Sequence, residues 1–236
     1  MKFCSQCGHP VIIDIPPLDN MPRHVCPNCK TVHYENPKIV VCSIPSWESK
    51  SNETSILLCR RAIAPRHGFW TLPGGFMEND ETTEQAAARE TQEEAGANVK
   101  ISKLFSLMNL PVYHQVHLFY LAQLENTEFS PGEETLETRL FRESEIPWDN
   151  LAFSTIKYAL KFYLEDRKKI LKGGHFGFHT LDLPGYFHGI PVVIFNPQSL
   201  PTDLKPAVFA FQADAGIIKP QDPPVIFHGN TVSPGK

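Results

Sequence analysis

The sequence predicts an α/β fold, with a small cysteine-rich module before it and a β-rich extension after it. Three observations carry this. Two Cys-x-x-Cys pairs, Cys4/Cys7 and Cys26/Cys29, open the chain. Strand-like apolar runs then alternate with two helical patterns over residues 36–172. Past a Gly173-Gly174 break, short apolar runs return among nine of the chain's 21 prolines.

The two cysteine pairs are separated by 18 residues. That spacing suits a four-thiolate zinc site, a closed tetrahedral set with no position left for substrate or water. Its role is therefore structural: it holds together a module too small to build a core of its own. Two disulfides are the alternative, and nothing in the sequence points to secretion. His9, His24 and His33 lie nearby and are read as bystanders, since four cysteines already fill the site. Cys42 and Cys59 sit in apolar runs and read as buried thiols.

The main body starts with a strand over 39–44 and a second, buried strand over 56–59, followed by Arg60 and Arg61. Trp70-Thr71-Leu72-Pro73-Gly74-Gly75 then brings backbone close to whatever follows. Next comes a helix, capped by Thr82 or Thr83, with Ala86 to Ala88 inside it and Gly96 just past its end. Strands are expected over 99–110, 116–124 and 136–142, and a helix over 154–169. In the extension, 191–195, 207–211 and 225–227 read as short strands of an ordered segment, because disordered tails are poorer in apolar runs. His175, His179, His188 and His228 lack regular spacing and are read as scattered core or surface histidines.

Composition narrows the function. Net charge is -4 over 236 residues, and 42% of residues are hydrophobic. A protein binding nucleic acid through a general basic surface is disfavoured, as is a nucleic-acid zinc module, since residues 1–35 offer only Lys2, Arg23 and Lys30. No run reaches the roughly 18–20 apolar residues of a membrane helix. MKFCSQCGHP carries no apolar signal segment, so a cytoplasmic protein without membrane partners is expected.

The helix after Gly75 carries the chemistry. Glu90, Glu93 and Glu94 share one face, with Arg89 beside them and Glu81 one loop upstream. A solvated acidic face accounts for Glu93 and Glu94 but not for the whole pattern. Hard divalent cations such as Mg2+ or Mn2+ suit such carboxylates and bridge them to phosphates. The pattern resembles the Nudix box, Gly-x5-Glu-x7-Arg-Glu-U-x-Glu-Glu-x-Gly-U, where U is bulky and apolar. Gly75, Glu81, Arg89, Glu90, Glu93, Glu94 and Gly96 fall on its fixed positions. Thr91 and Ala97 depart from it at the two U positions, which face the core in that family.

The resemblance implies a Nudix α/β/α sandwich with a mixed sheet, over 36–172, between a zinc ribbon over 1–35 and a Pro/Gly-rich extension of unassigned role over 173–236. It implies Mg2+ or Mn2+ held by Glu90, Glu93 and Glu94, supporting roles for Arg89 and Glu81, and a backbone contribution from Gly74 or Gly75. Many family members take a further acid from a downstream loop. Glu134 is the first candidate for general base, with Glu133 and Glu137 behind it. Arg60, Arg61 and Arg66 precede the box as candidate phosphate clamps. Phe69, Trp70, Tyr113 and Phe119 are candidates to stack a ring.

The expected reaction is hydrolysis of a diphosphate linkage to two monophosphates. A ribbon ahead of the box is similar to the NADH pyrophosphatase branch, but Ser106 to Tyr113 replaces that branch's SQPWPFPxS-like array. Over about residues 4–165 the chain more closely resembles ribbon-bearing Nudix proteins that include plant FAD and ADP-ribose pyrophosphatases. FAD or ADP-ribose is therefore the expected substrate, with NADH or another dinucleotide as the alternative. A non-catalytic ADP-ribose or nucleotide-binding regulator is the rival class, and the complete acidic set argues against it. A homodimer is expected from the family.

Overall fold

The structure, a computed structural model, describes residues 1–50, 53–187 and 190–195, with side chains up to residue 183. The expected strands at 207–211 and 225–227, and His188 and His228, lie outside the described residues. The chain divides into two compact units, Met1–Pro37 and Lys38–Lys236.

In the first unit β1 (Ile12–Asp14), β2 (Arg23–Val25) and β3 (Val32–His33) form a three-stranded antiparallel sheet. Strands this short cannot support themselves by packing. What organises the unit is the cysteine set. The four Sγ atoms all lie within 4.8 Å of one another, and Cys4 and Cys26 are buried. Neighbouring sulfurs are 3.4–3.6 Å apart. That is far beyond a disulfide's roughly 2.05 Å and near the edge of about 3.8 Å for a tetrahedron with 2.3 Å zinc–sulfur bonds. The cysteines are free thiols, so the disulfide alternative falls.

Among its described residues the second unit holds a nine-stranded mixed sheet and two α-helices. In chain order these are β4 (Lys38–Glu48), β5 (Thr54–Arg61), β6 (Trp70–Thr71), β7 (Gly74–Phe76), α1 (Thr83–Ala95), β8 (Val99–Leu110), β9 (Gln115–Leu124), β10 (Thr135–Arg142), α2 (Ser154–Ile170), β11 (His179–Phe187) and β12 (Ile190–Phe195). The sheet order is β10-β5-β4-β9-β8-β11-β12, with β6 on β5 and β7 on β4. The β4–β9 and β8–β11 pairs are parallel and the rest antiparallel.

Strand alternation explains the sandwich. Cys42 and Ile44 of β4, Ile56 and Leu58 of β5, and Phe119 and Leu121 of β9 join the α2 residues Ile156, Leu160, Phe162 and Tyr163 in one core. Their neighbours Val41 and Tyr120 face Ala86 and Ala87 of α1, while Leu57 and Cys59 meet Ala95 and Ala97. A sheet covered on both faces reads as continuous apolar runs, which is why β5 and β9 show no polar alternation in the sequence.

The two departures from the box pattern are both buried. Thr91 replaces an apolar side chain by donating its hydroxyl hydrogen to the Ala87 carbonyl at 2.6 Å. It accepts from Ser43 Oγ, also at 2.6 Å. The polar cost of this position is thus offset inside the α1–β4 contact.

Candidate active site

The helix α1 is fixed at both ends. Thr82 caps it in a capping box with Gln85, and it ends at Gly96 in the left-handed region, φ 59°. Between them the acidic face lies against β7, whose backbone pairs with β4 through Val41↔Gly75 and Cys42↔Gly74. Gly74 is required for lack of space, since a Cβ there would sit 2.6 Å from the Val41 carbonyl oxygen. At Gly75 any side chain would have to displace the Glu90 carboxylate, both of whose oxygens would lie 2.6 Å from its Cβ. The Gly74 amide donates to Glu94 Oε2 at 3.1 Å.

Arg89 organises the acids. It holds Glu81 with two hydrogen bonds of 2.7 and 2.9 Å, Glu90 at 2.9 Å and Glu93 at 3.0 Å, and donates to the Phe76 carbonyl at 3.2 Å. The guanidinium and the Glu78 amide hold Glu81 at about 2. Glu94 is 8% exposed, and burial pushes its carboxyl up to about 7 despite the Gly74 amide. Burial also raises Glu90, against the pull of Arg89. Glu93, 58% exposed, is the open member of the set.

The donor set fits a divalent cation. Hard carboxylate oxygens, two of them desolvated and reluctant to ionise alone, are what Mg2+ or Mn2+ stabilises. The cysteine set fits zinc for a parallel reason. The His9 amide and Cys29 hold Cys7 at about 5. At Cys26 an amide from Cys29 pulls the thiol down, yet burial and Cys7 together leave it at about 11, so neighbouring thiols resist a second negative charge. His33 Nε2 lies 3.3 Å from Cys4 Sγ, alongside the cluster.

The acidic face opens into a cavity of about 1500 Å³. Glu90, Glu93, Glu94, Gly74 and Gly75 line one wall. Arg61 and Arg66 line another, each with its guanidinium near an aromatic ring, Arg61 at 5.2 Å from Phe153 and Arg66 at 5.4 Å from Phe69. Arg60 is turned elsewhere, to Glu137 at 3.6 Å and the Gly68 carbonyl, and neither Arg60 nor Glu137 lines the cavity.

Glu133 and Glu134 do line it. Their loop docks on the end of α1, where the Gly132 amide donates to the Glu94 carbonyl at 3.0 Å and the Ser130 amide to Ala95 at 2.9 Å. A Cβ on Gly132 would overlap the Glu93 carbonyl oxygen, so only glycine lets the loop approach this closely. Of the aromatic candidates, Phe69 and Tyr113 line the cavity, while Trp70 and Phe119 are buried in the core. Burial drives the Cys42 and Cys59 thiols far above their ordinary value, so neither serves as a nucleophile.

Several lining residues carry no sequence signal of a site. Gln115, His117, Trp148, Phe153, Thr155 and Lys157 also face the cavity. The His117 ring bonds Gln115 Oε1 at 2.9 Å through Nε2, and burial lowers its pKa to about 4.

This cradle, a glycine-fitted acidic helix on a mixed sheet, is that of a Nudix hydrolase. The NUDIX domain family matches residues 42–160, and the Nudix N-terminal zinc ribbon matches residues 2–35; the chain belongs to the Nudix family. A solved NUDIX hydrolase from Nitrosomonas europaea is 50% identical, with a TM-score of 0.72, covering 78% of this chain and 99% of that one. Among curated proteins, the NAD-capped RNA hydrolase NudC of Salmonella heidelberg is 33% identical over 62% of this chain and 53% of its own length. That of Photobacterium profundum is 32% identical over 62% and 52%. The chain thus spans about half the length of the curated relatives it matches.

Proposed function

We propose that the chain is a metal-dependent pyrophosphatase that hydrolyses the diphosphate linkage of a nucleoside-diphosphate derivative to two monophosphates. The observation that carries the reading is one cavity lined by Glu90, Glu93, Glu94 and Glu134, by the cations Arg61 and Arg66, and by aromatic walls. Its volume of about 1500 Å³ exceeds the roughly 300–1000 Å³ of an ordinary small-ligand pocket, as a two-ring substrate requires.

Glu90, Glu93 and Glu94 would hold Mg2+ or Mn2+, which neutralises phosphate charge and lowers the pKa of a bound water. The rest is the work of side chains. Arg89 keeps the carboxylates in place and screens their repulsion. Arg61 and Arg66 orient the diphosphate. Glu134 takes the proton of the attacking water; a phosphorus–oxygen bond forms as the bridging bond breaks, and the two monophosphates separate. Phe69, Tyr113, Trp148 and Phe153 supply faces for the rings at either end.

FAD and ADP-ribose remain leading substrates by the residue pattern, and the names of the curated relatives bring an NAD-type dinucleotide beside them. The same names favour a second reading, in which the dinucleotide is the cap of an RNA. Turnover of FAD, ADP-ribose, NADH, diadenosine polyphosphates, nucleoside triphosphates and NAD-capped RNA, each with Mg2+ or Mn2+, tests both. AMP with FMN, ribose 5-phosphate or reduced nicotinamide mononucleotide identifies the substrate. Cleavage of capped RNA alone would bring in the nucleic-acid partner that the net charge argues against. Nucleotide binding with no cleavage of any member would sink the reading in favour of a regulator.

A further inference from the structure

The part of the cavity wall supplied by β9 is built unlike the acidic part. Gln115 and His117 stand two residues apart on that strand, so they share the sheet face that continues as Phe119 and Leu121. Both line the cavity, among Val40, Leu110 and Tyr113. Apart from this polar pair the slot is apolar or aromatic. Tyr113, 65% exposed, offers it a ring face.

The pair has a defined polarity. His117 Nε2 lies 2.9 Å from Gln115 Oε1. An amide oxygen has no proton to give, so Nε2 donates, and the ring, kept neutral by burial, is bare at Nδ1. Nδ1 is buried without a partner, which suits a bare nitrogen; a proton there would be an orphaned donor. His117 therefore engages the oxygen of the Gln115 carboxamide and leaves its NH2 group over. That NH2 has no hydrogen bond among the described residues, on a half-buried side chain at the cavity wall.

The backbone fixes where this donor stands. Gln115 pairs with Leu110 across the β8–β9 turn and with Lys38 of β4. The Lys38 amide also donates to the His114 carbonyl at 2.8 Å. Val40 of β4 pairs with Phe76 of β7 on one side and with His117 on the other. Two strand spacings, about 10 Å, thus separate β9 from the glycine strand that fits the acidic carboxylates. A phosphoryl group at those carboxylates would hold its base, one ribose away, within reach of Gln115.

We propose that Gln115 is the base-reading residue of the cavity: its NH2 group, oriented by His117, donates to a ring nitrogen of adenine. This rests on the cavity being a nucleotide site. Adenine is the half common to FAD, ADP-ribose and the NAD-type dinucleotides, and its ring nitrogens are acceptors, as a lone donor in an apolar slot requires. Such a donor rejects a ring that presents C–H at the same place, because the pair is then left unmade in a desolvated slot. Gln115 touches the ligand, and His117 is a positioning residue that acts through it.

Calorimetric titration of the zinc-loaded full chain, in Mg2+, with AMP and with its 1-deaza, 3-deaza and 7-deaza analogues tests it. Each analogue replaces one ring nitrogen by C–H. The expected result is that one analogue binds about tenfold or more weaker than AMP in the wild type. That penalty falls to within about threefold in Gln115→Leu and shrinks in His117→Phe. A merely structural role would weaken AMP and the analogue alike and leave their ratio in place. No penalty for any analogue in the wild type overturns the proposal, as does a penalty that survives in Gln115→Leu or AMP too weak to titrate. A penalty undiminished in His117→Phe overturns the role given to His117. Should Gln115→Leu fail to fold, Gln115→Glu, which keeps an acceptor for His117 and has no donor, is read by the same ratio. A turnover panel without cleavage would remove the pyrophosphatase reading and leave the ratio standing, whereas an active panel without a penalty would remove Gln115 alone.

Discussion

Glu94 meets two demands that pull apart: it is buried, and it is asked to be a ligand. Burial raises its carboxyl to about 7, although the Gly74 amide and the charge of Arg61 favour the ionised form. Glu94→Gln keeps the shape and the acceptor for Gly74 while removing the charge. The expected outcome is loss of turnover by about a thousandfold or more, roughly 4 kcal/mol in the barrier, with thermal stability and zinc content unchanged. Wild-type rates in that variant would mean the metal sits elsewhere. His117 gives a pH prediction of known sign. Its folded pKa, about 4, lies below its ordinary 6.5, so the unfolded chain takes up the proton first. The stability it confers is full above pH 6.5 and drains away as pH falls towards 4, by about 2 kcal/mol at pH 5. Urea unfolding at stepped pH should show a shallower acid loss in His117→Phe; parallel curves would refute the burial argument. The box acids were legible because helix spacing fixes which side chains share a face. His117 and Thr155 were not, because one polar residue in an apolar stretch has no period.

At the scale of elements, most of the fold could be read. The helix α1, its Thr82 cap and its Gly96 end follow from local rules, and β5, β8, β9 and β10 lie within a few residues of their expected spans. β4 runs to Glu48, beyond the expected end at residue 44, because it pairs in parallel with β9 through Ser46↔Gln123 and antiparallel with β5 through Glu48↔Thr54. A partner distant in sequence, β9, together with the neighbouring hairpin strand β5, extended it through Pro45 and Ser46, where local propensity stops. β6 and β7 are too short for any periodic signal, yet they place the glycines that fit Glu90 and Glu94. The zinc ribbon is the opposite case, since ligand spacing alone marks it. Cys26→Ser should abolish zinc binding and unfold Met1–Pro37, while the unfolding transition of Lys38 onwards stays in place. Metal content and amide exchange by segment read this out. A variant that kept one zinc per chain with the segment protected would show that Cys26 is not needed to hold the metal.

The whole molecule depends on a contact that nothing local announced. β11 joins the sheet in parallel with β8, His179↔Ser106 to Asp182↔Asn109, so the segment after α2 extends the sheet on which the acidic helix lies. Pairing across some seventy residues leaves no pattern in either strand, and Gly173-Gly174 marks only the end of the helix. The join turns on Asp166 of α2, 1% exposed. Its carboxylate accepts from Lys169 at 2.8 Å, the Gly177 amide at 2.7 Å and His179 at 2.9 Å. Burial opposes its ionisation, but those three donors outweigh burial and hold its carboxyl below the ordinary value. His179 in turn stacks on Phe162 at 4.5 Å and meets the edge of Phe105 at 4.9 Å, so the join is polar at its centre and aromatic around it. Asp166→Ala would strand the Gly177 amide and the His179 ring beneath packed aromatics. The expected cost is about 3 kcal/mol or more, with faster amide exchange along 179–187 before any change around α1. Simultaneous loss of protection in both regions would mean that β11 and the catalytic cradle unfold as one cooperative unit, and the join would then be part of the core and not a separable attachment.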